Sequence, residues 1–274
     1  MLLAGKKALV TGAGGKLGGA IAGRFASEGC SVILADIHSQ KAEEAADLLN
    51  KQGHEAKAVA MDVTDEQSVN RVFDGLAKLD ILVNNAGVTR GHYNLQSTLQ
   101  EWNEILNVNL TSVFLCAKSA FPLLRQSPSP AIVNMSSINA FRMNPGLPAY
   151  AAAKSGIIAL TEQLALEGAR DRIRVNCLSP GRIMSEEQQQ ERSHEPVFAI
   201  DRDCYPLGRL GYPRDVANAA LFLASDLSAF VNGINLVVDG GMSIQAVSSL
   251  VRPDLRRRWK SGLYKLEMEE ERER

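Results

Sequence analysis

The chain has 274 residues, 45% of them hydrophobic, and its 30 Lys and Arg against 31 Asp and Glu leave a net charge of −1 at a pI near 6.5. That length suits one generous α/β domain, and the near-neutral balance gives no electrostatic basis for nucleic-acid or anionic-membrane partners. Cys30, Cys116, Cys177 and Cys204 stand far apart in no metal-ligand spacing, so free thiols in a reducing compartment, no zinc and a cytoplasmic location are expected.

The first residues reach a glycine-rich turn too soon for a secretory signal, and no run approaches the ~20 apolar residues of a membrane span. Lys7 to Thr11 is a short apolar strand, followed by Gly12-Ala13-Gly14-Gly15-Lys16-Leu17-Gly18-Gly19 and a helix running to about Glu28. Strand, glycine turn and helix make a phosphate cradle. Glycines let the backbone turn tightly and approach a pyrophosphate, whose charge is held by amides at the helix N-terminus. Gly12, Gly15, Lys16, Leu17 and Gly18 are therefore candidate dinucleotide contacts. Cys30 to Asp36 is the second strand, and its terminal acid lies 18 residues beyond Gly18, near the spacing at which a carboxylate binds the adenosine ribose. Asp36, followed by Ile37, argues for NAD. A 2′-phosphate would meet like-charge repulsion there, although Lys16 and His38 are nearby cations. Residues 39–52 read as an amphipathic helix, His54 to Met61 as a third strand ending at Asp62-Val63, and Asp65 to about Ala77 as a capped helix. Asp80 to Asn84 is a fourth strand that breaks into Asn84-Asn85-Ala86-Gly87.

A long helix is expected from about Leu99 to Leu124. Asn109 inside it points to function, because a mid-helix asparagine competes for backbone hydrogen bonds. Ala131 to Met135 reads as a buried strand ending at Ser136-Ser137, and a Pro/Gly loop then leads into an Ala-rich helix beginning near Tyr150. Tyr150 and Lys154 are four residues apart and share a helix face. Free tyrosine is a poor base, with a pKa of roughly 10, but a neighbouring cation favours the phenolate. Alone, the pair describes many solvated helix faces; with the serines and the glycine turn it describes an acid–base site. Ile173 to Gly181 is a buried strand. Residues 186–206 lack apolar periodicity and are crowded with Glu, Gln and Arg, as a mobile lid would be. Asp215 to Ser225 is a helix and Asn232 to Gly241 the last strand. In the extension 244–274, Leu255, Trp259, Leu263 and Leu266 fall on one side of a helix between Arg256-Arg257-Arg258 and a charged end, and that side needs a surface to cover it.

Together these stretches resemble the short-chain dehydrogenase/reductase family over roughly residues 5 to 243. The resemblance rests on Thr11, Gly12 and Gly18 of a TGxxxGxG turn, on Asn84-Asn85-Ala86-Gly87, on Asn107-Val108-Asn109-Leu110-Thr111, and on a serine thirteen residues before Tyr-x-x-x-Lys, which selects Ser137 over Ser136. Lys16 departs from the pattern by standing where the middle glycine belongs; Gly15 supplies the register Gly12-x-x-Gly15-x-x-Gly18, so a shifted turn is expected. The resemblance implies that Tyr150 is the general base or acid, that Lys154 lowers the tyrosine pKa and holds the nicotinamide ribose, that Ser137 hydrogen-bonds the substrate oxygen, and that Asn109 supports a water-linked relay to Lys154. It further implies that Asp62 and Val63 contact the adenine and that Asn85, Ala86 and Gly87 border the cofactor, with Asn84 structural. Pro180 and Gly181 would lie at the nicotinamide, with Ile183 and Ser185 toward its carboxamide.

Alternating strands and helices require a doubly wound parallel sheet with helices on both faces. The expected fold is a seven-stranded Rossmann sheet in one domain over 1–243, with ligands at the carboxyl ends of its strands. The expected activity is NAD-linked interconversion of a secondary alcohol and a carbonyl; the competing class is a non-catalytic dinucleotide sensor. Arg90, Arg142, Arg182 and Arg209, with Asn139, fall in or beside loops at the site mouth, and a guanidinium suits a carboxylate. A small polar sugar, polyol or hydroxy acid, anionic if the arginines are used, is the expected substrate; scattered surface arginines and a 3-oxoacyl thioester substrate are the alternatives. Family members are commonly dimers or tetramers, which implies a homodimer or homotetramer with the extension packed across a subunit boundary.

Overall fold

The computed structural model describes residues 1–89 and 96–260. Arg90, Leu263 and Leu266 lie outside the described residues. Short apolar runs form seven strands, the inner ones buried on both faces and the edge strands β3 and β7 partly exposed: β1 (Lys7–Thr11), β2 (Ser31–Asp36), β3 (Ala56–Ala60), β4 (Ile81–Asn84), β5 (Ala131–Met135), β6 (Arg174–Pro180) and β7 (Asn235–Val238). All pair in parallel, in the order β3-β2-β1-β4-β5-β6-β7. The order reverses between β1 and β4, and the crevice outside the carboxyl ends at that reversal is where an open sheet of this kind holds its ligand.

Alternate strand residues feed two cores. Ala8, Val10, Ile81 and Val83 meet α1 (Lys16–Ala26), α2 (Ser39–Lys51) and α9 (Pro213–Ala224) on one face. Leu9, Leu82, Ile132 and Val175 meet α3 (Glu66–Asp74), α5 (Ser112–Leu124) and α6 (Pro148–Gly168) on the other. The expected seven-stranded, doubly wound sheet is what the chain forms. Among the described residues, no helix is long and apolar enough to cross a membrane.

Three expectations need correction. The long helix 99–124 is interrupted: α4 (Leu99–Leu106) passes into a π-helical turn, Asn107–Thr111, before α5 begins. The Asn109 amide donates to the Ile105 carbonyl and the Ser112 hydroxyl to the Val108 carbonyl, which holds the widened turn open.

The region 186–206 is not an irregular loop. It forms α7 (Glu186–Glu191), capped reciprocally by Ser185 and Gln188, and α8 (Pro196–Asp203), which Pro196 starts. Phe198 and Tyr205 are buried with Met184 and Leu210 in a small core of their own. With so few buried residues in each short helix, no apolar period could show.

The extension is, as far as residue 260, two short helices and not one. α10 (Val247–Val251) and α11 (Pro253–Arg256) part where Arg252 precedes Pro253. Arg256 is only 3% exposed and pairs with Asp203 at 2.6 Å, Lys260 pairs with the same carboxylate at 2.9 Å, and half-buried Trp259 donates to the Ser249 carbonyl at 3.0 Å. This part of the extension packs on the end of α8 of its own chain.

Candidate active site

At the carboxyl end of β1 the chain turns through Gly12, whose φ of +64° suits glycine. A Cβ at Gly18 would lie 2.4 Å from the Gly12 oxygen, so the start of α1 presses directly on the turn. Gly15 occupies the N-cap, with its N–H donating to Gly12 O at 3.2 Å, and Lys16 is the first helical residue. The turn is thus made by Gly12, Gly15 and Gly18, with Lys16 and Leu17 beginning the helix, as the shifted register predicts. Thr11 Oγ1 accepts from the backbone N–H groups of Asn85 and Ala86, both at 3.0 Å, and Asn85 Nδ2 donates to Thr11 O at 2.9 Å. The two glycine-containing turns at the reversal are one unit. Asn84 donates to Asn134, which donates to Thr161, in a buried relay tying β4, β5 and α6 together; this is a structural role.

Asp36 ends β2 beside that unit, accepting from Gly14 N–H and His38 N–H, both at 2.9 Å. Next to it Ile37 is 62% exposed, an apolar surface facing out of the fold. Asp62, two residues beyond β3, caps its own turn through Thr64, while the Val63 side chain is buried in the core and offers only its backbone.

β5 delivers Ser136 and Ser137 to the same edge. Ser136 donates to the Lys154 carbonyl at 2.8 Å and so braces α6, whereas the nearly buried Ser137 hydroxyl accepts only a local N–H from Asn139 at 3.2 Å. Ser137 Oγ donates to no partner among the described residues. Pro148 starts α6, setting Tyr150 in its first turn and Lys154 one turn on. Lys154 Nζ donates to Met135 O at 2.8 Å and lies 5.5 Å from the Tyr150 ring centre. Asn109 donates from its amide to Val88 O and Ile105 O, both at 3.0 Å, while its buried Oδ1 has no partner. A Cβ on Gly87 would stand 2.8 Å from that oxygen and 3.5 Å from Lys154 Nζ, so acceptor and cation face one space beside Gly87. An orphaned buried acceptor next to a cation is a place for a water or a ligand oxygen.

Burial pushes the Lys154 ammonium from its ordinary 10.5 down to about 8. Between those values the unfolded chain binds more protons than the folded one, so Lys154 makes stability rise with pH across that window. Relative to Lys154→Met, the wild-type chain is expected to gain on the order of 1–3 kcal/mol between pH 8 and pH 10.5. Urea unfolding of both chains across that range measures it; a difference that is flat in pH would contradict the assignment of a desolvated ammonium.

On the far side of the site, Gly181 N–H donates to Val238 O at 3.0 Å and Arg182 N–H to Tyr205 Oη at 2.6 Å, which fixes the segment after Pro180. Ile183 bridges to Gly211, and Ser185 Oγ accepts from Lys16 Nζ at 3.0 Å. Tyr205 and this Lys16–Ser185 contact gave no sequence signal, since their partners lie 23 and 169 residues away. Burial pushes the thiols of Cys30, Cys116 and Cys177 up to about 12, which leaves them protonated and inert at neutral pH.

The arginine cluster does not assemble as expected. Arg182 is paired with Asp201 of α8, and Arg209 forks onto Asp215 at 2.6 and 3.0 Å. Arg142 donates to Ser243 O and Phe141 O and remains exposed. Asn139 Oδ1 accepts from Asn144 N–H, closing its own loop.

A phosphate cradle, a ribose-spaced carboxylate, and a Ser, Tyr and Lys gathered at one sheet edge define an oxidoreductase that works with a nicotinamide dinucleotide. The comparisons agree: a family model described as enoyl-(acyl carrier protein) reductase matches residues 12–243. The 3-oxoacyl-(acyl-carrier-protein) reductase FabG of Aquifex aeolicus is 38% identical over 245 residues, which is 88% of this chain and 98% of that one. An Agrobacterium tumefaciens structure with bound NADP, provisionally named a 2-deoxy-D-gluconate 3-dehydrogenase, is 35% identical with a TM-score of 0.81 over 89% of this chain and 98% of its own. A Beutenbergia cavernae structure provisionally named an NAD(P)-dependent gluconate 5-dehydrogenase, with NADP at low occupancy, is 34% identical with a TM-score of 0.83 over the same shares. The chain belongs to the short-chain dehydrogenase/reductase family.

Proposed function

We propose that the protein interconverts a secondary alcohol and a carbonyl on a small sugar acid or hydroxy acid, using NAD(H). The reading is carried by Asn109 Oδ1 and Lys154 Nζ facing one space beside Gly87, with the Tyr150 ring centre 5.5 Å from that Nζ and Ser137 just past the end of β5, whose last carbonyl, Met135 O, holds the same Nζ. The dinucleotide, when bound, supplies or removes the hydride. Tyr150 takes the hydroxyl proton as the alcohol is oxidised and returns one to the oxygen as the carbonyl is reduced. Ser137 donates to that oxygen and holds it against Tyr150. The Lys154 ammonium stabilises negative charge on the tyrosine oxygen, and a water on Asn109 Oδ1 links Lys154 to solvent. A non-catalytic sensor would have no use for this complete set.

Asp36 supports NAD over NADP. Its carboxylate would repel a 2′-phosphate, and the Lys16 ammonium lies at Ser185, not at Asp36. The NADP in the two solved relatives favours the other cofactor. Steady-state kinetics with both dinucleotides decide: kcat/KM for NAD(H) is expected to exceed that for NADP(H), and the reverse order would overturn the role given to Asp36.

The names of the two structural relatives and the exposed Arg142 support a sugar acid. A 3-oxoacyl thioester is the second reading, supported by the FabG relative and by the family model. Arg182 and Arg209 support neither, being held in ion pairs.

A further inference from the structure

Lys16 replaces a glycine in the phosphate turn, and three features of its setting ask for an explanation. It is the first helical residue of α1, where the helix macrodipole disfavours a cation, and the first turn of that helix contains no acid to offset it. The turn has no steric need of it, because Gly12, Gly15 and Gly18 make the close approaches. The side chain crosses from the glycine turn to the opposite wall of the crevice, where Nζ donates to Ser185 Oγ at 3.0 Å; the carboxyl of exposed Glu187, held low first by Ser185, feels Lys16 only weakly. It forms no ion pair among the described residues, and Asp36 takes its hydrogen bonds from Gly14 and His38. Lys16 is exposed, stands against the dipole and is joined among the described residues only to a hydroxyl, so its charge is free to meet an anion.

We propose that Lys16 is a second anchor for the pyrophosphate of the dinucleotide and that, through Ser185, it couples phosphate binding to the seating of the lid. The proposal rests on the dinucleotide reading above and adds a specific consequence. A charged side chain shared with Ser185, the N-cap of the helix that opens the lid, would make lid position depend on the phosphate. Ser185 is suited to that because its hydroxyl also accepts from Gln188 N–H and so sets the start of α7. Because Lys16 serves the pyrophosphate and not the 2′-position, it strengthens NAD and NADP binding alike.

The test compares the wild-type chain with Lys16→Met, Lys16→Gly and Ser185→Ala by calorimetric titration with NADH, NADPH and ADP-ribose, a fragment with the pyrophosphate but no nicotinamide. Both Lys16 variants are expected to weaken all three ligands by about tenfold, as loss of one charge-assisted hydrogen bond would. Their affinities should also fall less steeply with added salt. Lid seating is read by tryptic cleavage after Arg192 and Arg202 at saturating ADP-ribose: the ligand should slow cleavage in the wild type and not in Lys16→Met or Ser185→Ala. Unchanged affinity in the Lys16 variants would overturn the anchor, a loss confined to NADPH would move Lys16 to the 2′-phosphate, and equal protection in all chains would overturn the coupling to the lid. If the wild-type chain bound none of the three ligands, the dinucleotide reading would fall first and this proposal with it.

Discussion

Tyr150→Phe is expected to lower kcat by about 10²- to 10⁴-fold, the range supplied by a positioned acid–base group, while NADH affinity stays within about twofold. The phenyl ring keeps the half-buried volume in the first turn of α6 and its contact with the Lys154 ammonium. Only the oxygen is lost. Ser137 is oriented by a local N–H, and Lys154 is directed at Met135 O and the space beside Gly87, so neither takes over the proton. The pattern to look for is a fall in kcat at unchanged dinucleotide binding, read by steady-state kinetics and NADH fluorescence. Retained turnover would place the acid–base group elsewhere.

Gly18→Ala is expected to abolish dinucleotide binding, raising Kd by about a hundredfold or more, and to cost roughly 1–3 kcal/mol of stability through overpacking. The new Cβ would sit 2.4 Å from Gly12 O, 2.7 Å from Asn85 Nδ2 and 2.8 Å from Ala13 Cα, mostly backbone that moves only if the turn opens. Its neighbour gives the control. At Gly19 the nearest atom to a new Cβ is Ala13 O at 3.4 Å, so Gly19→Ala should bind normally and gain a few tenths of a kcal/mol from better helix propensity. Equal behaviour of the two variants, by titration and thermal melting, would mean that the glycine turn does not form the cradle.

The parts of this molecule legible in its sequence are those fixed by backbone geometry over short distances. Strand-end motifs such as Asp36, Asn85 and Ser137 could be placed because a parallel sheet brings every strand's carboxyl end to one edge. The Tyr150–Lys154 pair follows from the pitch of a helix. The choice of Ser137 over Ser136, made on spacing, has a physical counterpart in the Ser136 bond to Lys154 O. What could not be read was partnership across the chain. Arg182 and Arg209 looked available because their carboxylates, Asp201 and Asp215, are supplied by later helices. Arg256 stands in the run Arg256-Arg257-Arg258, and its pairing with Asp203 of α8, 53 residues earlier, left no mark in the sequence. Asn109 was marked as unusual in a helix; that its amide also reaches the Val88 carbonyl, 21 residues away in another loop, could not be read from the sequence.

Oxidation of NADH by a panel of oxo sugar acids, oxo hydroxy acids, sugars and 3-oxoacyl thioesters, followed by loss of its absorbance, tests the central claim most directly. The site described here predicts turnover with the highest kcat/KM on an oxo acid of the sugar or hydroxy-acid type. Selective turnover of the thioesters would contradict the substrate assignment, and NADH binding without hydride transfer to any carbonyl in the panel would contradict the enzyme itself.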